Sequence, residues 1–345
     1  MNTRDILLHQ SSFEATQDFL GHLNGKKWLY TKGLSGSGRS LLMASVYAQN
    51  QRPLLVVAPN KEEAQYLKSD LENLLTGQPI YFLPDSFVKA YRSDREHAMH
   101  VQERIETLNA LRKNPRRILV TYGSALAEHV VEKADLESNT FEISTGQNLD
   151  IDFLTEFLYD NGFEREDFVM EPGQFSIRGG ILDLFSFAHE YPFRLELDGD
   201  IIENIRAFDV NSQLSIKEMA HFSLVPKVTP QQIKHTPILN YLDSDSLLYW
   251  IEPELQVQEL VKMWEFTLQT YHQSKANGAE FEGKHPKEVW LTPKEFQEMS
   301  DPFKKIQLGG DKPDVPHDTV VFEQEPQPLF KRNMELLQEW LTEFK

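Results

Sequence analysis

The sequence contains no cysteine and no long apolar run. Without cysteine the chain has no disulfide, no thiolate metal site and no cysteine nucleophile, which is compatible with a reducing cytoplasm. No stretch approaches the roughly 20 apolar residues that a membrane-spanning helix needs. Met1–Asp5 also lacks the basic segment and apolar core of a signal peptide. We therefore expect a cytoplasmic protein without membrane contact.

Positive charge is scarce as well, above all in the middle of the chain. The net charge is −18, and residues 128–215 hold 20 Asp and Glu against five Lys and Arg, a balance of −15. Affinity for nucleic acid backbones depends on Lys and Arg that displace counterions. Direct DNA binding by this segment is therefore disfavoured. Two interpretations of its charge remain open, namely simple solubility and a surface for a protein partner.

Two segments of the 345-residue chain alternate short apolar runs with helical patterns. They are residues 1–127 and 216–345, and their repeated strand–helix–strand rhythm predicts a doubly wound parallel sheet. The predicted strands are Trp28–Thr31, Leu54–Ala58, Ile80–Leu83, Arg117–Thr121, Leu247–Ile251, Glu288–Leu291 and Thr319–Phe322.

The middle segment, residues 128–215, has a different rhythm. Three short alternating runs, Ile181–Phe185, Phe193–Leu197 and Ile201–Phe208, are separated by glycine-containing turns and predict an antiparallel meander. The fold class is therefore α/β, with a helicase-like parallel-sheet domain interrupted by an inserted α+β domain that carries an antiparallel sheet. The two outer segments are expected to share one sheet.

A degenerate phosphate loop follows the first predicted strand. It reads Gly-Leu-Ser-Gly-Ser-Gly-Arg-Ser, with Gly33, Gly36, Gly38 and Ser40 in place and Arg39 where the pattern requires lysine. Lysine contacts phosphates as a compact charge, whereas a guanidinium is wider and planar. We therefore predict that hydrolysis is lost. Backbone N–H groups at a helix start still favour anions, so weak nucleotide or anion binding and a purely structural loop both remain open.

Hydrolysis would also need a carboxylate that holds magnesium at the end of a later strand. Glu252, directly after the predicted strand Leu247–Ile251, is the best candidate, but Pro253 follows it where the helicase pattern usually stays acidic. His97 and His100 are three residues apart on a predicted helix without an evident third ligand. No residue is therefore assigned a catalytic or metal-binding role.

Two stretches of the sequence resemble known repair proteins. Leu29–Ser40 is similar to the first motif of UvrB, apart from the missing lysine. Within the block that begins at Gly162, residues 170–185 read Met-Glu-Pro-Gly-Gln-Phe-Ser-Ile-Arg-Gly-Gly-Ile-Leu-Asp-Leu-Phe, and Tyr191–Leu197 and Ile205–Asp209 follow. This block resembles the N-terminal, UvrB-like module of the bacterial transcription-repair coupling factors (Mfd). The resemblance covers most of residues 10–215.

The resemblance implies a module that recruits UvrA, the damage-recognition ATPase, through the inserted domain. It implies no working ATP site and no cofactor in this chain, which we expect to be a fragment of a longer protein. In the full-length family protein a separate motor uses ATP and magnesium, and other regions bind RNA polymerase and DNA. Another domain is implied to mask the UvrA surface. The long DNA-inserting hairpin of UvrB is missing, because Tyr81–Ala98 is too short and too charged for it.

All four arginines between residues 138 and 215 lie inside the resembling block. Exposed ion pairs stabilise by only about 0.2–1 kcal/mol, whereas arginine and aromatic residues are enriched in interfaces. By resemblance we expect Arg165, Arg178, Phe185 and Arg194 to contact UvrA, and Arg206 to be structural. On one ideal strand Arg178 and Phe185 would lie on opposite faces, unless a bulge at the intervening glycine pair brought them together.

These observations lead to one functional hypothesis and one alternative. The chain is expected to recruit UvrA and so couple stalled transcription to nucleotide excision repair, without hydrolysing ATP itself. The alternative is an ATP-dependent, helicase-like repair enzyme of the UvrB type. The two differ at Arg39, because the enzyme needs a loop that can bind and position the nucleotide phosphates.

Overall fold

The computed structural model of the protein describes residues 3–85, 94–113, 116–138, 141–187, 189, 191–224, 234–276, 286–324 and 334–343. The α-helices are α1 (Thr3–Ser12), α2 (Glu14–His22), α3 (Ser37–Asn50), α4 (Lys61–Leu74), α5 (Asp94–Lys113), α6 (Gly123–Ala127), α7 (Lys133–Ser138), α8 (Ile151–Asp160), α9 (Pro253–Ala276), α10 (Pro286–Val289), α11 (Pro293–Ser300) and α12 (Met334–Glu343). A short 3₁₀ helix covers Ile238–Tyr241.

The strands are β1 (Trp28–Lys32), β2 (Leu54–Ala58), β3 (Ile80–Phe82), β4 (Ile118–Tyr122), β5 (Val130–Val131), β6 (Phe141–Ser144), β7 (Glu164–Arg165), β8 (Gln174–Arg178), β9 (Ile181–Leu184), β10 (Phe193–Asp198), β11 (Ile201–Phe208), β12 (Ser215–Met219), β13 (His221–Leu224), β14 (His235–Thr236), β15 (Leu247–Ile251), β16 (Lys304–Leu308) and β17 (His317–Val321).

The larger sheet is parallel throughout and has the strand order β17-β1-β16-β15-β2-β4-β3. Apolar clusters lie on both of its faces, because alternate residues of each strand point to opposite sides. In β2, for example, Leu54, Val56 and Ala58 belong to one cluster, and Leu55 and Val57 belong to the other. The predicted helicase-like parallel sheet, shared by the outer segments of the chain, is confirmed.

One central strand, β16, was not predicted from the sequence. It lies between β1 and β15, and its alternate residues Ile306 and Leu308 enter one of the two apolar clusters. The residues that alternate with them, Lys305 and Gln307, are polar yet buried. The Lys305 ammonium lies 5.1 Å from the centre of the Trp28 ring, and Gln307 donates to the backbone oxygen of Asp311 at 2.6 Å. A strand with such polar partners lacks the continuous apolar run that signals a buried parallel strand.

The predicted strand Glu288–Leu291 is wrong. Helix α10 occupies Pro286–Val289, and Trp290 forms only an isolated bridge with Glu128. Trp290 and Leu291 are buried in the apolar cluster on one face of the parallel sheet. The apolar pattern therefore reported burial correctly, whereas proline at the first helical position favoured a short helix.

The insertion enters and leaves the outer domain through paired strands. β6 and β13 run antiparallel, with Phe141 opposite Leu224, so the two ends of the inserted chain lie side by side. Outside them, β5 and β14 form a second antiparallel pair. Asn109 of α5 donates to the Ser223 hydroxyl at 3.2 Å and connects the outer domain to β13. Adjacent ends are what allow one domain to be inserted into a loop of another.

The inserted region contains a six-stranded sheet with the order β12-β11-β10-β9-β8-β7. Its strands are antiparallel apart from the β7–β8 pair, so the predicted meander is confirmed. One face of the sheet is apolar. It packs against Leu154 and Leu158 of α8 and contributes Phe175, Leu182 and Leu195 to a separate core. That core fixes which residues face the opposite side, because the side-chain period along a strand is two.

Within the described part of the chain, none of the helices combines the length and the apolar content that a bilayer crossing requires. Residues 86–93, in the middle of the Tyr81–Ala98 segment that was judged too short for a DNA-inserting hairpin, lie outside the described residues.

Candidate functional site

The degenerate phosphate loop occupies the expected place between β1 and α3. Gly33 has a φ of 85°, and a Cβ atom there would come within 1.8 Å of the Phe322 carbonyl oxygen. Only glycine therefore permits the close passage of the chain after β17. The loop has the backbone course of a phosphate site, and the groups around it decide what it is able to hold.

Side chains from three other segments approach the loop. The Gln324 side-chain oxygen accepts a hydrogen bond from the Ser35 backbone N–H at 3.0 Å, and it lies 2.3 Å from where a Cβ of Gly38 would stand. The Ser40 hydroxyl donates to Asp70 at 2.8 Å. The Ser35 N–H and the Ser40 hydroxyl are thus bonded to the protein itself.

Arg39 forms an ion pair with Glu252 across the same loop. The guanidinium donates to Oε1 of Glu252 at 2.7 Å, and only a small part of the arginine side chain is exposed. Glu252 directly follows β15 and is the carboxylate that the sequence offered for magnesium. As folded, the cation and the carboxylate neutralise each other.

The second candidate site is the face of the six-stranded sheet opposite its apolar core. We call it the arginine face and define it by Ser176, Arg178, Asp183, Arg194 and Arg206. Cross-strand pairing places these residues in neighbouring positions: Ser176 is opposite Asp183, Asp183 is opposite Arg194, and Arg194 is opposite Arg206. Of the three arginines predicted to contact UvrA, Arg178 and Arg194 therefore share one surface, together with Arg206, which was expected to be structural.

A single buried carboxylate joins two of these arginines. Asp183 is 1% exposed and accepts from Arg178 at 2.5 Å and from Arg194 Nε and an amino group at 2.7 and 2.8 Å. Arg194 also donates to Gln213 at 2.9 Å and lies over the Phe208 ring at 4.4 Å. The hydrogen bonds to Asp183 raise the pKa of Arg194, so this guanidinium stays charged.

Arg206 and Arg165 differ from this pair. Arg206 is paired with Glu196 on the neighbouring strand, as expected for a structural residue. Arg165 lies on the edge strand β7 next to β8 and is exposed. Among the described residues its guanidinium has no ion-pair partner. No residue in the described ranges thus occupies the hydrogen-bond donors of the Arg165 guanidinium.

The relation expected between Arg178 and Phe185 has to be corrected. They do not belong to one strand, because the glycine pair at 179–180 is a two-residue hairpin turn that places Arg178 opposite Ile181. The turn therefore puts position 178 on the same side of the sheet as positions 181, 183 and 185. Both Arg178 and Phe185 project toward the arginine face. Phe185 is nevertheless only 6% exposed and packs with Val169 and Phe208 beneath the surface.

Two residues of this site were missed in the sequence. Asp183 sits inside an apolar strand, and a carboxylate that interrupts such a run is the signal that could have revealed it. Phe168 is 59% exposed, and the Arg178 guanidinium lies 4.7 Å above its ring. An exposed aromatic residue cannot be told from a core residue in one sequence, so only the fold could assign it to the surface.

Comparison with known proteins also points to the inserted region, which carries the arginine face. Residues 141–229 match the family model of the UvrB interaction domain. The chain is 34% identical over 203 residues to the transcription-repair-coupling factor of Myxococcus xanthus, which covers 57% of this chain and 17% of that protein. The corresponding proteins of Bacillus subtilis and Escherichia coli are 28% and 30% identical over 222 and 193 residues. These matches cover 63% and 56% of this chain and 19% and 17% of the relatives.

The chain spans about a fifth of the length of the curated relatives it matches. The matching family model lies on the inserted sheet, and the relatives share one name. The comparisons thus confirm the resemblance of this chain to the UvrB-like module of the transcription-repair coupling factors.

Proposed function

We propose that this chain recruits UvrA through its inserted region and so couples stalled transcription to nucleotide excision repair. The observation that carries the proposal is the arginine face, because it lies within the residues that match the UvrB interaction domain. It concentrates positive groups in a region that is otherwise strongly acidic. Arginines on a firm sheet are well suited to bind carboxylates of a protein partner.

The proposed contact residues are Arg165, Arg178 and Arg194, with Phe168 beside them. Phe185 keeps a part in the proposal as the residue that supports the surface from below, since it packs against Phe208. We draw the proposed interaction unit at residues 141–224, from β6 to β13, because these paired strands bracket the insertion. The sequence pattern alone had suggested 128–215.

The proposal includes the absence of ATP hydrolysis by this chain. It is supported by the ion pair between Arg39 and Glu252 and by Gln324, which accepts the Ser35 N–H inside the loop. A P-loop enzyme needs a cation free to contact phosphate and a carboxylate free to hold magnesium. In this fold each of those groups is the partner of the other.

The functions of the longer protein follow the resemblance only. We propose that RNA polymerase and DNA are bound by regions outside this chain, and that the ATP-driven motor also lies there. We further propose that another domain of the full-length protein covers the arginine face until UvrA is needed. A domain that covers the arginine face must pair with the same arginines as UvrA, because a buried arginine without a partner is costly.

Titration of the chain with purified UvrA tests the proposal. Arg165→Ala is the sharpest variant, because Arg165 is exposed and its removal leaves no buried charge unpaired. We expect affinity to fall about tenfold, which corresponds to about 1.4 kcal/mol. The matched control is Lys217→Ala, which removes one exposed positive charge from the edge strand β12 of the same sheet. Equal capture by wild type and Arg165→Ala would contradict the proposal.

A further inference from the structure

Asp183 occupies a position that packing alone does not require. It is almost completely buried on a strand whose neighbours Leu182 and Leu184 lie in the apolar core on the other side of the sheet. Replacement of a buried ion cluster by apolar residues is often neutral or stabilising. The carboxylate therefore calls for a role other than stability, and its two arginine partners show where to look.

Within the described part of the chain, the hydrogen bonds of Arg178 leave most of its guanidinium unused. One amino group donates to Asp183, whereas a guanidinium carries five N–H donors in a planar fork. The side chain is 37% exposed, so the remaining donors are accessible. The Phe168 ring lies beneath the guanidinium at 4.7 Å and is exposed as well. A cation and an apolar ring are thus held together at the surface.

Arg194 holds the other side of the same carboxylate. It donates from two nitrogens to Asp183, and its charge is largely buried over Phe208. This bidentate contact fixes the carboxylate in the plane of the Arg194 guanidinium. Oδ2 of Asp183, which accepts from both arginines, then determines where Arg178 stands. Arg194 thus fixes the position of Asp183, and Asp183 in turn fixes the position of Arg178.

We propose that Asp183 is a positioning residue that fixes Arg178 over Phe168 as a combined site for a partner carboxylate with an apolar group beside it. The proposal rests on the proposed function and identifies the chemistry that UvrA must present to this part of the surface. Asp183 itself does not touch the partner. A pre-positioned arginine loses less conformational freedom on binding, and affinity increases for that reason.

Asp183→Glu is the primary test, because it keeps the charge and moves the carboxylate by one methylene group. We expect it to weaken UvrA binding about tenfold in an otherwise wild-type chain. In an Arg178→Ala background the same change is expected to have no further effect, because the residue through which Asp183 acts is gone. In an Arg165→Ala background, Asp183→Glu is expected to weaken UvrA binding by the same factor as in the wild-type chain, because the two residues act independently.

A second variant addresses the same claim without changing a buried charge. Arg178→Lys keeps the positive charge at an exposed position but loses the planar fork that bridges Asp183 and Phe168. We expect it to weaken UvrA binding nearly as much as Arg178→Ala does. If charge alone sufficed, the lysine variant would bind like wild type, and the positioning role would be overturned even if Asp183→Glu failed to fold.

The outcomes separate this inference from the function on which it rests. If Arg165→Ala weakens capture but Asp183→Glu does not, the positioning role is overturned and UvrA recruitment stands. The same holds if Asp183→Glu acts equally in the Arg178→Ala and Arg165→Ala backgrounds. If neither Arg165→Ala nor Phe168→Ala changes capture, UvrA recruitment through the inserted region is overturned first, and the positioning role is overturned with it.

Discussion

The phosphate loop and the arginine face both pair arginine with a carboxylate, yet the two pairs have opposite consequences. At the loop, one carboxylate, Glu252, is paired with one arginine, Arg39. On the face, one carboxylate, Asp183, serves two arginines, so positive charge is left over at the surface. The two sites therefore differ in the number of arginines for each carboxylate, which is one at the loop and two on the face.

The two pairs also differ in how they are built. Arg39 and Glu252 are 213 residues apart and meet only because β15 lies close to β1 in the parallel sheet. Arg178 and Asp183 are five residues apart across a hairpin turn. The loop pair thus depends on the whole outer domain, whereas the face is largely a local product of one meander. The following predictions test this difference, beginning with the largest effect.

Removal of the charge of Asp183 is expected to have the largest effect on stability. Asp183→Asn leaves two arginines without their shared carboxylate in a buried position, which costs about 3–5 kcal/mol when a buried ion pair loses one partner. Urea unfolding followed by far-ultraviolet circular dichroism measures the loss. Lys217→Ala, an exposed change in the same sheet, is expected to stay within about 0.5 kcal/mol of wild type. A similar cost for both variants would contradict the role of Asp183 as the central acceptor.

Acid is expected to destabilise the inserted region before the outer domain. His189 is 4% exposed between the Phe193 and Phe222 rings, and burial lowers its pKa to about 3. An unfolded histidine has a pKa near 6.5. Burial of the neutral His189 therefore costs no stability above about pH 6.5. The free energy of unfolding decreases as the pH falls toward 3, by about 2 kcal/mol at pH 5. His189→Leu is expected to remove this dependence.

The distribution of tryptophan makes the acid experiment specific for each region. All five tryptophans lie outside residues 141–224, so their fluorescence reports the outer domain only. Hydrogen exchange of amides within 141–224 reports the insertion. Below pH 6.5 we expect faster opening of the insertion while tryptophan fluorescence is still native. Equal acid sensitivity of wild type and His189→Leu would show that another group is responsible.

Breaking the loop pair is expected to cost less than breaking the arginine cluster. Glu252 is about one-third exposed, so water compensates part of the lost interaction. We expect Glu252→Gln to reduce the free energy of unfolding by about 1 kcal/mol. Tryptophan fluorescence during urea unfolding follows this domain directly. If Glu252→Gln cost as much as Asp183→Asn, the contrast between a partly exposed and a buried carboxylate would be lost.

The smallest expected effect is that of nucleotide on the wild-type chain. A ligand that binds only the folded state raises the melting temperature, by an amount set by its concentration relative to its Kd. Because Gln324 and the Arg39–Glu252 pair occupy the loop, we expect no shift with millimolar magnesium-ATP and no phosphate release. Steady ATP turnover by this chain, purified without other proteins, would instead support the UvrB-type enzyme.

The sequence was a good guide to strands that are apolar throughout and a poor one to mixed strands. β2 and β15 were recognised because both of their faces are buried in apolar surroundings. β16 was overlooked because Lys305 and Gln307 are buried through specific partners, which only the fold supplies. The error at 288–291 has the same origin, since burial of Trp290 gives the same apolar pattern in a helix end as in a strand.

Residue types decided the candidate site only in part. The contact arginines were predicted by their position in the resembling block, and two of them, Arg178 and Arg194, do share a surface. The inward position of Phe185 and the outward position of Phe168 depend on which side of a hairpin each lies, and on what covers it. Two aromatic residues in similar apolar surroundings are equivalent in a sequence, because burial is a property of neighbours far along the chain.

The sequence by itself determined the two kinds of sheet, the interrupted order of the segments, the loss of the phosphate-loop lysine and the scarcity of cations in the insertion. Those properties follow from residue type and local periodicity. Tertiary structure alone decided that Arg39 closes on Glu252 while Asp183 leaves an arginine facing outward. The reason is that a charge is cancelled or presented according to the groups that the strand order brings beside it.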